Sequence, residues 1–125
     1  MVDPRADASE ITFMKRLMIA LGSIDGLRIW RQNTGHVPVR DPSGRTVRIF
    51  SAGPPPGAAD LTGIYRGIRV EIETKAAGGK LRPEQELWRD MIRTHGGVYV
   101  AVWGPYVDAA VDAVLKELVW RLERI

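Results

Sequence analysis

Glu73 and Lys75 stand two residues apart in the segment Ile68–Lys75, and Asp60 precedes Glu73 by thirteen positions. In that segment Ile68, Val70, Ile72 and Thr74 alternate with Arg69, Glu71, Glu73 and Lys75, which is the period of a strand. Glu73 and Lys75 therefore project from one face. Asp60 falls near the start of a second strand-like run, 59–65, joined to the first by a tight turn at Arg66-Gly67. Antiparallel pairing would bring Asp60 close to Glu73. Two carboxylates and a lysine converging at a sheet edge have a joint chemistry. The carboxylates can hold a hard divalent cation, which takes oxygen ligands. Such an ion polarises a phosphodiester and lowers the pKa of a bound water. Lys75 can orient that water or balance charge developing on the transferring phosphate.

A plainer account exists for each of these residues. Glu-X-Lys recurs by chance in almost any protein, and a solvated strand face with a surface ion pair is worth only ~0–1 kcal/mol. Glu71 shares the face of Glu73 and reads as a neighbour that can reach the outer shell of a metal. Glu10 has two readings: it can close a capping box with Asp7, or supply a further carboxylate to the site. Gln85 sits in the first turn of a helix, where capping alone would account for it. His95, in the last turn of that helix, suits the helix dipole, and His36 follows a turn. Neither histidine is needed for the chemistry above.

The elements that must hold these residues follow from periodicity. Ile11, Met14, Leu17, Met18 and Leu21 give an amphipathic helix over 8–21, stopped by Gly22. Leu27–Arg31 reads as a strand and Asn33-Thr34-Gly35 as a turn. Residues 37–40 and 46–50 form a hairpin around Asp41-Pro42-Ser43-Gly44, followed by a short rigid loop, Gly53-Pro54-Pro55-Pro56-Gly57. After Lys75, a glycine-containing linker leads to a helix starting at Pro83, with Leu87, Trp88, Met91 and Ile92 as its apolar stripe and Gly96-Gly97 as its end. Val98–Trp103 is a nearly continuous apolar run, a strand covered on both faces. A last helix from about Pro105 buries Val107, Ala110, Val111, Val114, Leu118 and Leu122. Helix, strands, helix, strand, helix is an α/β domain with one mixed sheet flanked by helices. The two strands around the middle helix are expected to run parallel.

In order along the chain, these residues resemble the PD-(D/E)XK nuclease superfamily, and within it the VRR-NUC family. The likeness is carried by Glu10, by Trp30-Arg31-Gln32-Asn33-Thr34-Gly35, by Gly57-Ala58-Ala59-Asp60-Leu61 and by Glu71-Ile72-Glu73-Thr74-Lys75. It continues through Gly79-Lys80-Leu81-Arg82-Pro83-Glu84-Gln85, Trp88 and the Gly96-Gly97 strand entry. Ala59 stands where the family usually has proline, and Arg82 where a Ser or Thr helix cap is common. The resemblance implies a restriction-endonuclease-like fold filling residues 1–125 and a metal-dependent DNA endonuclease. It implies Mg²⁺ or Mn²⁺ on Asp60 and Glu73, with the Thr74 backbone carbonyl and Glu10 assisting. Lys75 would align or deprotonate the attacking water, and Gln85 would help position Lys75 or a phosphate. Small stand-alone relatives occur in phages and bacteria, form homodimers and cut branched DNA such as four-way (Holliday) junctions. A flap- or linear-DNA-directed nuclease, or a non-catalytic nucleic-acid-binding module, are the alternatives.

Composition agrees with this chemistry. The chain has 125 residues, no cysteine and only two histidines, which excludes disulfides, thiol nucleophiles and Cys-ligated metals. An oxygen-ligand site needs neither residue. Hydrophobic residues make up 45% and charged residues 26%, with no run of ~20 apolar residues to span a membrane. The N-terminus is too polar for a secretory signal, so a cytosolic protein is expected. Arg28, Arg31, Arg40, Arg45 and Arg48, then Arg66, Arg69, Lys80 and Arg82, give the stretch 28–82 a larger positive excess than the +3 of the whole chain. That concentration suits a phosphate-backbone surface around an acidic centre. Of the four tryptophans, Trp88 and Trp120 fit helix packing, Trp103 ends a buried strand, and Trp30 alone is placed to contact a base.

Overall fold

The computed structural model of the chain describes residues 10–32 and 35–125. Helix α1 (Glu10–Leu21) is followed by strands β1 (Leu27–Arg31), β2 (Gly35–Arg40), β3 (Thr46–Ala52), β4 (Leu61–Tyr65) and β5 (Ile68–Lys75). Helix α2 (Pro83–Thr94), strand β6 (Val98–Trp103) and helix α3 (Val107–Leu122) complete the chain. The expected Asn33-Thr34 turn, and Asp7 of the expected capping box, lie outside the described residues.

The main sheet has the order β1-β4-β5-β6. β1 pairs antiparallel with β4, and β4 with β5, while β5 and β6 run parallel around α2. The sheet is mixed, as the strand–helix–strand pattern implied. One correction concerns the hairpin: β2 and β3 pair only with each other and form a separate two-stranded sheet. Alternating residues alone do not say which sheet a hairpin joins, and Gln32 and the proline loop carry this one away from β1 and β4.

One face of the main sheet carries the larger core. Val70, Ile72, Val98, Val100, Val102 and Leu61 meet Phe13, Leu17 and Leu21 of α1 and Ala110, Val114 and Leu118 of α3. Six of the eight β5 side chains are buried, Glu71 and Glu73 of its charged face among them, while Arg69 is exposed and Lys75 partly buried. Ile11, expected in the α1 stripe, is 53% exposed, and Phe13 takes the buried place. The other face is covered over β5 and β6 by α2, through Trp88 and Ile92 against Tyr99. Leu87 and Met91 were expected in that stripe but face outward. Adjacent helical residues point ~100° apart, so only one member of each pair, 87–88 and 91–92, can aim at the sheet. Trp120 is likewise exposed rather than packed, with the Arg124 guanidinium 4.1 Å over its ring. Trp103 lies half open on the edge strand, its Nε1 donating to the Gly79 carbonyl at 2.6 Å. No described helix is long and apolar enough to cross a membrane.

Candidate metal centre

β4 begins at Leu61, which pairs with Ile72, so Glu73, Thr74 and Lys75 extend beyond the end of β4. The notch left in the sheet is where four segments converge. Glu73 and Lys75 come from the end of β5, Asp60 from the residue before β4, Glu10 from the first turn of α1, and Gln85 from the first turn of α2. Carboxylate oxygens of Glu10, Asp60 and Glu73 lie within 4.8 Å of one another. Of the two readings of Glu10, membership of the acidic group is the one its position supports.

Each member of the group is held by a specific contact. Asp60 Oδ2 accepts hydrogen bonds from the Thr74 amide at 3.0 Å and the Thr74 hydroxyl at 2.8 Å. The Asp60 carbonyl accepts from the Gln32 amide at 2.8 Å, and Gln32 Nε2 donates to the Ala59 carbonyl at 2.9 Å. The turn that presents Asp60 is thus fixed on both sides, and Asp60 Oδ1 is left for the site. Glu73 Oε1 accepts from Gln85 Nε2 at 3.2 Å and faces Lys75 Nζ at 3.8 Å. Gln85 Oε1 in turn accepts from the Arg82 amide at 2.8 Å, which fixes the orientation of its terminal amide. Gln85 therefore closes the N-terminus of α2 and holds Glu73 with the same side chain. Gln85 was expected to approach the catalytic strand and help position Lys75 or a phosphate; it does reach that strand, and the partner it bonds is Glu73 Oε1, the oxygen that also faces Lys75.

The Thr74 carbonyl is oriented by strand geometry. The Lys75 carbonyl accepts from the Gly104 amide on the β6 side. Successive residues of a strand point their amides and carbonyls to opposite sides. Thr74 must then aim both groups away from β6, toward Asp60, which takes the amide.

Electrostatically the site is under tension. Glu73 is 2% exposed, and its Oε2 is a buried oxygen with no hydrogen-bond partner. Burial, reinforced by the Asp60 carboxylate and more weakly by Glu10, pushes its pKa up to about 8, while Lys75 pulls the other way. An unpartnered buried acceptor costs about 1–3 kcal/mol, more if charged. A divalent cation among these oxygens would remove both penalties at once, because it supplies a partner for Oε2 and offsets the mutual repulsion. The donors are all oxygens, which suits Mg²⁺ or Mn²⁺.

The group opens into a cleft of about 590 Å³, with Lys75, Lys80 and Arg82 on one wall and the proline loop 53–57 on another. Gly57, at φ +94°, lets that loop lie directly on the start of α2, where a Cβ would run into the Glu84 carbonyl. Another cleft, of about 520 Å³, lies where the ends of α2 and α3 meet, among Arg93, Trp120, Arg121 and Arg124. Among the described residues Glu117 is the only carboxylate lining it, so these residues form no comparable cation site there.

Several contributors were not evident from the sequence. Gln32 was noted only within a motif, yet it anchors the Asp60 turn. The Thr74 hydroxyl, on the opposite strand face from Glu73, orients Asp60. Glu71, expected as an outer-shell neighbour, lies outside the acidic group: its Oε1 accepts from Trp88 Nε1 at 2.8 Å and its Oε2 lies 3.5 Å from Gln32 Nε2. No protein-family model matches the chain, and no curated protein matches it significantly.

Proposed function

We propose that this chain is a metal-dependent DNA endonuclease of the VRR-NUC type, hydrolysing phosphodiester bonds. The observation that carries the reading is the convergence of Glu10, Asp60 and Glu73, with Glu73 Oε2 buried and unpartnered and Lys75 alongside. Glu10, Asp60, Glu73 and the Thr74 carbonyl would hold Mg²⁺ or Mn²⁺, which when bound supplies Lewis-acid polarisation of the phosphoryl oxygen and an acidified water. The remaining work falls to the chain's own groups. Lys75, its side chain 13% exposed and tethered to Glu73, presents an ammonium to the cleft. From there it can orient the attacking water or stabilise charge developing on the phosphate. Gln85 and Thr74 keep Glu73 and Asp60 from swinging away as the substrate arrives. Lys80 and Arg82 at the cleft wall meet the phosphate backbone.

The substrate is branched DNA such as a four-way junction, and the active form is a homodimer that sets two sites across the junction. Incubation with junction, flap and linear duplex DNA in Mg²⁺ or Mn²⁺ tests this reading. Paired symmetric cuts in the junction are expected. Absence of cleavage of every substrate in either metal would refute it.

A further inference from the structure

The β2–β3 hairpin is unexplained by the chemistry of the cleft. It forms its own two-stranded sheet, and its apolar side chains are open: Val47 is 57% exposed, Ile49 64% and Phe50 55%. A hairpin alone is marginally stable in water, and apolar side chains displayed on both faces of one call for an occupant. On β3, Arg48 and Phe50 share one face and Ile49 takes the other, while Val47 is the extra residue at an irregularity in the pairing. The irregularity pairs Val39 with Arg48 and Arg40 with Thr46, so Arg40 lies on the face opposite Arg48 and the ribbon carries an arginine on each side. Arg45 stands at the tip, its side chain 84% exposed.

The charge pattern selects the occupant. Arg40, Arg45 and Arg48 face a single carboxylate within the hairpin, Asp41. Its Oδ1 is consumed by the turn, accepting from the Ser43 amide at 3.0 Å, the Ser43 hydroxyl at 2.6 Å and the Arg45 amide at 3.0 Å, and its Oδ2 makes only a loose, solvent-exposed pair with Arg45 Nε at 3.9 Å. Docking on the same hairpin of a second copy would set arginines against arginines, which is penalised. A polyanion suits it instead. Both stems of the hairpin also leave from walls of the acidic cleft: Gln32 is bonded to Asp60, and the loop from Gly53 to Gly57 lines the cavity. The hairpin is thus rooted beside the acidic cleft.

We propose that this hairpin is a DNA-engaging ribbon that enters the major groove of duplex DNA beside the cleft, with Arg40, Arg45 and Arg48 on phosphates. The B-form major groove admits a two-stranded ribbon, whereas the major groove of A-form RNA is too deep and narrow. The inference rests on the nuclease reading and names the substrate-holding element of the same site.

Its test is the salt dependence of binding to labelled duplex DNA, with Ca²⁺ replacing the active metal to prevent turnover. Arg45→Ala/Arg48→Ala is compared with the parent and with Arg124→Ala, a substitution at the far end of the molecule. Each lost phosphate contact lowers the slope of log K against log[salt] by about 0.9. The double variant is expected to lose about two units of slope, and Arg124→Ala none, with Mn²⁺ binding unchanged in both. A parent that cuts DNA while the double variant keeps its slope overturns the ribbon and leaves the nuclease standing. A parent that neither binds nor cuts DNA overturns the nuclease reading itself. Equal competition by duplex RNA overturns groove entry. Conversion of a dimer to a monomer by Val47→Ser/Ile49→Ser, with the DNA slope intact, would make the hairpin a dimer arm instead.

Discussion

Glu71 and Glu73 occupy the same strand and the same face, and both are essentially buried, yet their surroundings differ in kind. Glu71 has partners for both oxygens: Trp88 Nε1 at 2.8 Å and the Arg69 guanidinium at 3.6 Å on Oε1, and Gln32 Nε2 at 3.5 Å on Oε2. Glu73 meets Gln85 and Lys75 through Oε1, its Oε2 is buried without a hydrogen-bond partner, and its carboxylate lies beside two others. One end of β5 is a completed polar network that ties α2 and β1 to the sheet. The other end is an incomplete one. Burial of a carboxylate does not make a ligand. The distinguishing feature is an oxygen left without a partner where other carboxylates converge.

Isosteric replacement of the two glutamates should separate their roles most sharply. Glu73→Gln keeps the shape and the acceptor oxygen for Gln85, and is expected to abolish Mn²⁺ binding by calorimetry and cleavage in any junction assay. Glu71→Gln should leave Mn²⁺ affinity within a few-fold of the parent. If the two variants bound Mn²⁺ equally well, the contrast between the two ends of the strand would collapse.

Lys75→Met comes next. Loss of a charge-stabilising or water-orienting group should lower kcat by about 10²–10³-fold. Mn²⁺ binding should persist, because the lysine is not a ligand. Gln85→Ala should act through Glu73 and weaken the metal site by about 10–100-fold, as removal of a ligand's supporting hydrogen bond generally does. Rescue by raised Mn²⁺ concentration would distinguish it from Lys75→Met.

The pH dependence gives a further separation. Because the folded-state pKa of Glu73 is raised from 4.5 to about 8, its stability contribution in the metal-free protein is fully present below pH 4.5 and is lost as pH rises through 8. Cation binding opposes the proton. Affinity should therefore climb about tenfold per pH unit below 8 and level off above it. Thermal melts of metal-free protein should show Glu73→Gln gaining on the parent as pH rises across this window. The smallest effect on activity belongs to Trp88→Phe. It leaves Glu71 Oε1 without its hydrogen bond and should cost about 1–3 kcal/mol in denaturant melts, with Mn²⁺ affinity unchanged.

Much of the fold was legible because it rests on local periodicity. The strands Leu27–Arg31, Ile68–Lys75 and Val98–Trp103 match their sequence boundaries, and α2 begins at Pro83 as expected. Asp60, Glu73 and Lys75 were identifiable because residues two apart on a strand share a face, and a tight turn fixes what lies across from them. Less could be read where the outcome depends on packing between distant segments. Gln32 reaches Ala59 across 27 positions, and Thr74 meets Asp60 from the face opposite Glu73; neither spacing has a periodic signature. Leu87 and Trp88 are both apolar, and only the tilt of α2 over the sheet decides which one is buried. Glu71 and Glu73 alternate identically in sequence. What separates them is the indole of Trp88 on one side and the convergence of α1 and the Asp60 turn on the other.

Anomalous diffraction from crystals soaked in Mn²⁺ tests the central claim most directly. The account predicts one strong peak per chain within coordination distance of Glu73 Oε2 and an Asp60 carboxylate oxygen, with Glu10 adjoining and none near Glu71. A peak elsewhere, or a saturating soak that leaves Glu73 Oε2 without an ion, would contradict it.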